Sequence, residues 1–192
     1  ATLLQNFLTN NCEGNPEYSN LPRKWNTAVA GSKQNFLLHN DIVFHPVVNN
    51  GILGFSVWIG GILSPQMNAY ALPLNAWVLP DEMCKIMDIV IRLWRNNGER
   101  EKRTKGRFRM YLDQVGHEEF RKQVVELFGP LEPDPGSKFD DSPRSYFGIH
   151  PQKQHGLYFA GMHVPVGRLT AQDLQDMATA SLKYGSGEIR LT

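Results

Sequence analysis

A basic pair near the N-terminus is the first candidate for chemistry. Arg23 and Lys24 follow a Leu-Pro pair, and proline restricts the backbone where the segment begins. The alternation of polar and apolar residues from Lys24 to Ala30 predicts a half-buried strand, with Lys24 and Asn26 on one face. A lysine whose direction is set by a sheet is suited to binding an anion.

A second group of cations follows the longest predicted helix. It consists of Arg95, Arg100, Lys102, Arg103, Lys105, Arg107 and Arg109. Cations near a helix C-terminus also interact favourably with the helix dipole, so a solvated face and an anion-binding role both stay open. The chain has 20 Lys+Arg against 19 Asp+Glu, and this balance argues against a nucleic-acid partner. A small oxyanion or a cofactor that carries carboxylates fits a local cluster better.

Residues that commonly ligate metals are sparse. The chain has two cysteines, Cys12 and Cys84, which cannot by themselves supply a four-thiolate zinc or iron–sulfur site. Of the scattered histidines only His150 and His155 are close in sequence, and no third ligand candidate accompanies them. We predict no metal site within this chain. Signatures of nucleotide-binding loops, serine hydrolases and zinc proteases are missing from the sequence as well.

Hydrophobic periodicity predicts the elements that must position these residues. The clearest are a hairpin around Asn49, Asn50 and Gly51 and an amphipathic helix with Asp81 as N-cap and Asn97 near its end. The remaining predictions are a helix over 2–11, two short helices through 108–115 and 120–128, a strand over 157–165, a helix capped by Thr170, and a strand over 188–192.

The order of these elements predicts an α+β fold with mixed or antiparallel sheets and helices packed against them. Prolines 130, 133, 135 and 143 mark a linker, so we predict a domain over 1–129, a linker over 130–147 and a second domain over 148–192. No apolar run approaches the about 20 residues of a membrane span, and no signal peptide is recognisable. We therefore expect no membrane partner and a cytoplasmic location.

Several motifs resemble the siroheme-dependent nitrite and sulfite reductases, most closely their cyanobacterial ferredoxin-dependent members. They are GNPEYSNLPRKWN at 14–26, HND at 39–41, GFSVWIGG at 54–61, RLWR at 92–95, RTKGRFRMYL at 103–112 and GRL at 167–169. The resemblance extends over essentially all 192 residues but matches only the middle of such an enzyme. It implies a siroheme and cluster-binding domain first, then the start of a truncated ferredoxin-like half-domain.

The resemblance also implies roles for individual residues. Lys24 matches a lysine that holds the anion on the siroheme iron and helps to supply protons. Arg23, Arg107 and Arg109 match arginines that bind the siroheme carboxylates. The Asn40-Asp41 and Gly60-Gly61 pairs match positions where the backbone approaches the cofactor pocket, and a simple strand exit is the alternative for the two glycines. In a continuous helix Arg107 and Arg109 would diverge by about 200°, so both reach one cofactor only if the chain is extended or turns there.

Asn26 distinguishes between the two substrates of this family. The resemblance places another lysine at this position in sulfite reductases and asparagine in nitrite reductases, and this chain has asparagine. Sulfite is largely a dianion near neutral pH and nitrite is a monoanion, so a second cation would favour sulfite. Asn26 therefore favours nitrite. A sulfite reductase stays the alternative enzyme, and a tolerated polar strand residue is the alternative interpretation of Asn26.

The resemblance implies siroheme, a 4Fe-4S cluster, nitrite as substrate and reduced ferredoxin as electron donor for a longer parent enzyme. The cluster-binding cysteines of the family lie beyond Thr192, and neither Cys12 nor Cys84 has their spacing. We therefore expect this chain alone to bind neither cofactor and to be inactive, and we expect the parent enzyme to be monomeric. In a plant or alga the parent would be in the plastid stroma. A non-catalytic module that presents an anion-binding face is the alternative of a different class.

Overall fold

The structure, a computed structural model, describes residues 1–31, 35–139 and 146–189, without the side chains of residues 35 and 36. The chain divides into two compact units, Ala1–Ser142 and Pro143–Thr192.

The first unit combines helices and short strands in an α+β arrangement. In its described part, the helices are α1 (Thr2–Thr9), α2 (Pro16–Ser19), α3 (Met83–Asn97), α4 (Phe108–Val115) and α5 (His117–Phe128), with short 3-10 helices at Asn35–His39 and Arg103–Lys105. The strands are β1 (Thr27–Val29), β2 (Ile42–Asn49), β3 (Ile52–Ile59), β4 (Ile62–Ser64), β5 (Met67–Ala69) and β6 (Leu72–Val78). The predicted α+β class is confirmed.

The main sheet has four strands in the order β1-β2-β3-β6. β1 runs parallel to β2, and the β2–β3 and β3–β6 pairs are antiparallel. The predicted hairpin is confirmed: Asn50 and Gly51 turn the chain with φ angles of 49° and 81°, which only glycine and a few polar residues adopt readily. β4 and β5 form a separate two-stranded sheet.

One hydrophobic core joins the main sheet to the helices of the first unit. α3 supplies a fully buried row that includes Ile86, Val90 and Trp94, at the three- and four-residue steps that place side chains on one helix face. These residues belong to the same buried cluster as Phe44 of β2 and Phe108 of α4. The sheet and α3 therefore form a rigid base for the loops around them.

The predicted strand over Lys24–Ala30 is shorter in the structure, because β1 begins only at Thr27. The backbone N–H of Asn26 donates a hydrogen bond to the side chain of Asp41 instead of pairing with a neighbouring strand. The predicted N-cap of α3 is also wrong. Glu82, not Asp81, precedes the helix, and its carboxylate closes a turn by accepting a hydrogen bond from the Leu79 N–H at 2.9 Å.

Residues 131–139, which we call the strap, lie against the main sheet. The N–H of Trp77 in β6 donates to the Glu132 carbonyl at 2.7 Å. Asp134 accepts a hydrogen bond from Ser56 of β3 at 2.8 Å, and the Phe139 ring lies 5.2 Å from that of Trp58. Residues 131–139 of the predicted linker thus lie against the sheet of the first unit.

The second unit contains the hairpin β7 (Gly148–Pro151) and β8 (Tyr158–Gly161), then α6 (Ala171–Tyr184). Thr170 caps α6 as predicted, in a reciprocal capping box with Asp173. β7 was not predicted, and most of the predicted strand over 188–192 lies outside the described residues. No residue in the described range 146–189 is buried. None of the described helices of either unit is long and apolar enough to cross a membrane.

Candidate anion and cofactor site

The segment with Lys24 and Asn26 is anchored by the tryptophan between them. Trp25 packs against Trp94 and Phe108, with ring centroids 5.6 Å and 5.3 Å away. Lys24 is exposed and Asn26 is half-buried. The core therefore holds Trp25 while Lys24 keeps its ammonium in solvent. That Lys24 and Asn26 share one face stays a prediction.

Asp41 lies at the centre of this region and is completely buried. One carboxylate oxygen accepts a hydrogen bond from Arg107 Nη2 at 2.9 Å. The other accepts from the Asn26 backbone N–H at 2.8 Å. The Asp41 carbonyl accepts from the Gly60 N–H at 2.8 Å. One residue thus joins three separate segments of the first unit.

The charges around Asp41 oppose one another. Burial raises the pKa of the Asp41 carboxyl above the usual range of an aspartic acid, while the Arg107 guanidinium, the Asn26 N–H and the positive charge of Lys24 counter part of that rise. A buried carboxylate is costly unless it is paired and hydrogen-bonded. The three surrounding groups supply that compensation.

Arg107 and Arg109 direct their guanidinium groups to different partners. Arg107 precedes α4 with extended backbone angles of φ −70° and ψ 147°, and it pairs with Asp41. Arg109 lies inside α4, where its Nη1 donates to the carbonyls of Gly60 at 3.2 Å and Tyr70 at 3.0 Å. Its Nε pairs with Asp113 at 2.7 Å. The chain turns between the two arginines, as a common cofactor would require.

One hydrogen-bond donor of Arg107 is unsatisfied. Its Nε is buried and has no hydrogen-bond partner among the described residues, and the side chain as a whole is 8% exposed. Buried donors are normally satisfied, and a guanidinium offers donors in a planar fork that matches a carboxylate. The Arg107 Nε is therefore a buried donor that the described residues leave unsatisfied.

Arg23 lies beside the turn that leads to Arg107. Arg23 is half-buried, and a Cβ placed on Gly106 would lie 3.2 Å from the Pro22 carbonyl and 3.7 Å from the Arg23 Cβ. The turn at Gly106 is thus in contact with Pro22 and Arg23. The structure brings Arg23, Lys24, Asn26 and Arg107 to one region around Asp41.

Asn40 and the Gly60-Gly61 pair close the other side of this region. The Asn40 amide donates to the Leu37 carbonyl at 2.7 Å. A Cβ on Gly61 would overlap the carbonyl oxygens of Leu38 and Asn40, so only glycine fits there. Gly61 is therefore required for close packing of two backbone segments, beyond a simple exit from β3.

Asp41 is the residue whose role the sequence analysis missed. A charged residue directly before the fully buried run Ile42–Phe44 is the signal that could have found it, since buried aspartates are rare unless paired. Its partner Arg107 is 66 positions away, and no periodicity in the sequence relates two such distant residues.

Comparison with protein families gives two matches along the chain. Residues 2–130 match the model described as the nitrite and sulphite reductase 4Fe-4S domain. The chain belongs to the nitrite and sulphite reductase family. Residues 150–192 match the nitrite/sulfite reductase ferredoxin-like half domain. The family predicted from the motifs is confirmed.

Individual relatives agree with this membership. The chain is 44% identical to the ferredoxin–nitrite reductase of Synechococcus elongatus over 98% of this chain and 38% of that protein. It is 42% identical to the chloroplastic ferredoxin–nitrite reductase of Zea mays over 100% of this chain and 35% of that protein. The chain spans about a third of the length of the relatives it matches.

A solved structure supports the fold. The NirA protein of Mycobacterium tuberculosis matches with a TM-score of 0.71 and 28% identity, over 82% of this chain and 29% of that one. The predicted resemblance of the fold to nitrite and sulfite reductases is therefore confirmed.

The metal-binding potential of the described residues is small. No group of three or more His, Cys, Asp or Glu side chains in ranges 1–31, 35–139 and 146–189 is placed to hold a metal ion. Cys12 is exposed, Cys84 is half-buried, and both are free thiols. What the first unit offers instead is a set of cations around a buried carboxylate.

Proposed function

We propose that the chain is the middle part of a ferredoxin-dependent nitrite reductase that reduces nitrite to ammonia. The observation that carries this proposal is identity of 38–44% to enzymes named ferredoxin–nitrite reductase, from cyanobacteria and chloroplasts, over essentially the whole chain. In this enzyme the first domain is 1–129, the linker 130–147 and the ferredoxin-like half-domain 148–192. The two family matches, 2–130 and 150–192, support these boundaries.

Siroheme and a 4Fe-4S cluster, when bound, would pass electrons from the donor to nitrite and provide the iron that holds it. Arg107 would bind a siroheme carboxylate through the part of its guanidinium that does not pair with Asp41. Arg23 would contribute a second cation, and Asn40 and Arg109 would line the pocket, although the guanidinium of Arg109 already has protein partners. Cysteines outside this chain would ligate the cluster, so the 192-residue chain alone would be inactive.

Lys24 would bind the nitrite anion and donate protons as its N–O bonds break. Its exposed ammonium is close enough to Asp41 to lower that carboxyl's pKa. Asn26 would offer a neutral hydrogen-bonding group to the same anion. A single cation at this position suits a monoanion better than a dianion, which favours nitrite over the alternative substrate, sulfite.

Reduced ferredoxin would be the electron donor, and nucleic acid and membranes would have no part in the reaction. The enzyme would act as a monomer in the cytoplasm of a bacterium or in a plastid stroma. The names of the relatives support ferredoxin as the donor, and the chloroplastic names support a plastid.

The first test is an absorption spectrum and a nitrite reduction assay of the full-length enzyme, with Lys24→Met as the variant. We expect a siroheme band in both proteins and a loss of nitrite turnover of about a hundredfold in the variant, since general acid and electrostatic catalysis each contribute on this scale. Lys122→Met is the matched control, because Lys122 forms an exposed ion pair with Glu119. A full-length protein without a siroheme band would refute the enzyme and favour the non-catalytic anion-binding module.

A further inference from the structure

The two carboxylate oxygens of Asp41 are divided between two parts of the site. Oδ1 pairs with Arg107 Nη2 at 2.9 Å, and Oδ2 accepts the Asn26 N–H at 2.8 Å. The segment with Arg107 belongs to the turn before α4, and Asn26 belongs to the segment before β1. In the described hydrogen bonds, Arg107 and Asn26 are connected through the Asp41 carboxylate and not directly to each other.

Because Asp41 is completely buried, its two hydrogen bonds restrict the positions of both partners. Water cannot replace a lost donor on a carboxylate with an exposed fraction of 0%, so each oxygen holds its partner in place. The backbone continues the connection, because the Ile42 N–H donates to the Asn26 carbonyl at 3.2 Å. Asn26 is therefore held at both its N–H and its carbonyl by the segment Asp41–Ile42.

The same bridge orients Arg107. One terminal nitrogen is committed to Asp41, and the buried Nε has no partner among the residues that the structure describes. A planar guanidinium fixed by one edge presents its remaining donors in a defined direction. The orientation of those donors thus depends on where Asp41 holds the group.

We infer that Asp41 is a positioning residue that holds the nitrite-binding segment Lys24–Asn26 and the cofactor-binding Arg107 in one fixed relation. This inference rests on the proposed function. Asp41 itself touches neither substrate nor cofactor; it aligns the groups that do. Misplacement of such groups by about 1 Å can lower catalytic efficiency by up to about a hundredfold.

The test is Asp41→Asn in the full-length enzyme, followed by nitrite titration monitored through the siroheme absorption. The amide keeps the size of the side chain but can no longer accept from both donors. We expect the Kd for nitrite to rise about tenfold and the KM to rise with it more than kcat falls. Hydrogen exchange at the Asn26 amide becomes faster. Asp41→Glu, which retains both acceptors, recovers part of the affinity.

Asp88→Asn is the matched control for a purely structural effect. Asp88 accepts hydrogen bonds from Tyr18 at 2.5 Å and Arg92 at 2.7 Å, so this variant loses a partly buried ion pair on α3. We expect a lower Tm and an unchanged Kd for nitrite. An Asp41→Asn variant that behaves in the same way, with a lower Tm and a wild-type Kd, overturns the positioning role.

If Asp41→Asn does not fold, the double variant Asp41→Asn with Arg107→Gln removes both charges and leaves no unpaired ion. A folded double variant that binds nitrite about tenfold more weakly than Arg107→Gln alone supports the inference, and binding equal to that of Arg107→Gln overturns it. A wild-type enzyme without a siroheme band overturns the proposed function and the inference together. A normal wild-type band with an unaffected variant overturns the inference alone.

Discussion

At the level of single residues, the buried carboxylate of Asp41 connects the buried Arg107 to the segment that carries Lys24. Lys24 and Arg23 are recognisable from a short motif, but the motif itself does not fix their positions. Trp25 supplies the apolar anchor, and Asp41 supplies the polar one. The segment Lys24–Asn26 is therefore positioned by the core contacts of Trp25 and by a buried acceptor for the Asn26 N–H.

Asn26→Lys in the full-length enzyme should change the preference between anions. A second ammonium near Lys24 stabilises a dianion more than a monoanion, so the ratio of kcat/KM for nitrite to that for sulfite should fall about tenfold. A chemical reductant in place of ferredoxin keeps docking out of the measurement. Asn96→Lys adds the same charge on the exposed surface of α3 and should leave the ratio unchanged. An unchanged ratio in Asn26→Lys would rule out the specificity role of Asn26.

At the scale of elements, the strap over 131–139 shows how a proline-rich sequence becomes ordered. Asp134 accepts hydrogen bonds from the N–H groups of Gly136 and Ser137 and from the hydroxyls of Ser56 and Ser137. Burial by itself raises the pKa of Asp134, but these hydrogen bonds outweigh it and bring the pKa below that of an ordinary aspartic acid. The ionised carboxylate is thus what closes the turn onto β3.

Asp134→Ala in the 192-residue chain should loosen the strap and cost about 1–2 kcal/mol of unfolding free energy. Because the folded pKa is lowered, the stabilisation is present above about pH 4 and is lost as the pH falls through the folded pKa. Hydrogen exchange at the Ser137 amide measures the loosening. Glu132→Gln is the control, since Glu132 binds Trp77 through its backbone carbonyl. Equal protection of Ser137 in wild type and Asp134→Ala would contradict this account.

At the scale of the whole molecule, the two units differ in how much they bury. The first has a core of fully buried side chains such as Trp94, Phe108 and Phe120. In the second, large apolar residues stay open, with Leu182 75% and Ile149 76% exposed. α6 has its cap but no buried residue, and helices of this length gain most of their stability from packing.

Hydrogen exchange of the 192-residue chain should therefore be uneven. Amides of α3, whose inward face is fully buried, should exchange orders of magnitude more slowly than those of α6, because exchange protection follows burial and packing. α3 serves as the internal reference in the same sample. Comparable protection of the two helices would show that α6 is stabilised by contacts beyond those described.

Elements whose signals are local could be predicted from the sequence. The β2–β3 hairpin follows from two residues that tolerate positive φ, and the helices α3 to α6 follow from apolar spacing or a cap, because these forces act within a few positions of the chain. The motifs also determined the family, and with it the candidate residues Lys24, Asn26 and Arg107.

The contacts that hold those residues are visible only in the folded chain. The late start of β1 and the bridge from Arg107 to Asn26 both depend on Asp41. Its partners lie 15 and 66 positions away in the chain. Burial removes water as an alternative partner, so the carboxylate must bind whichever donors the fold brings to it. Three-dimensional packing determines which donors these are, and it leaves no periodic signal in the sequence.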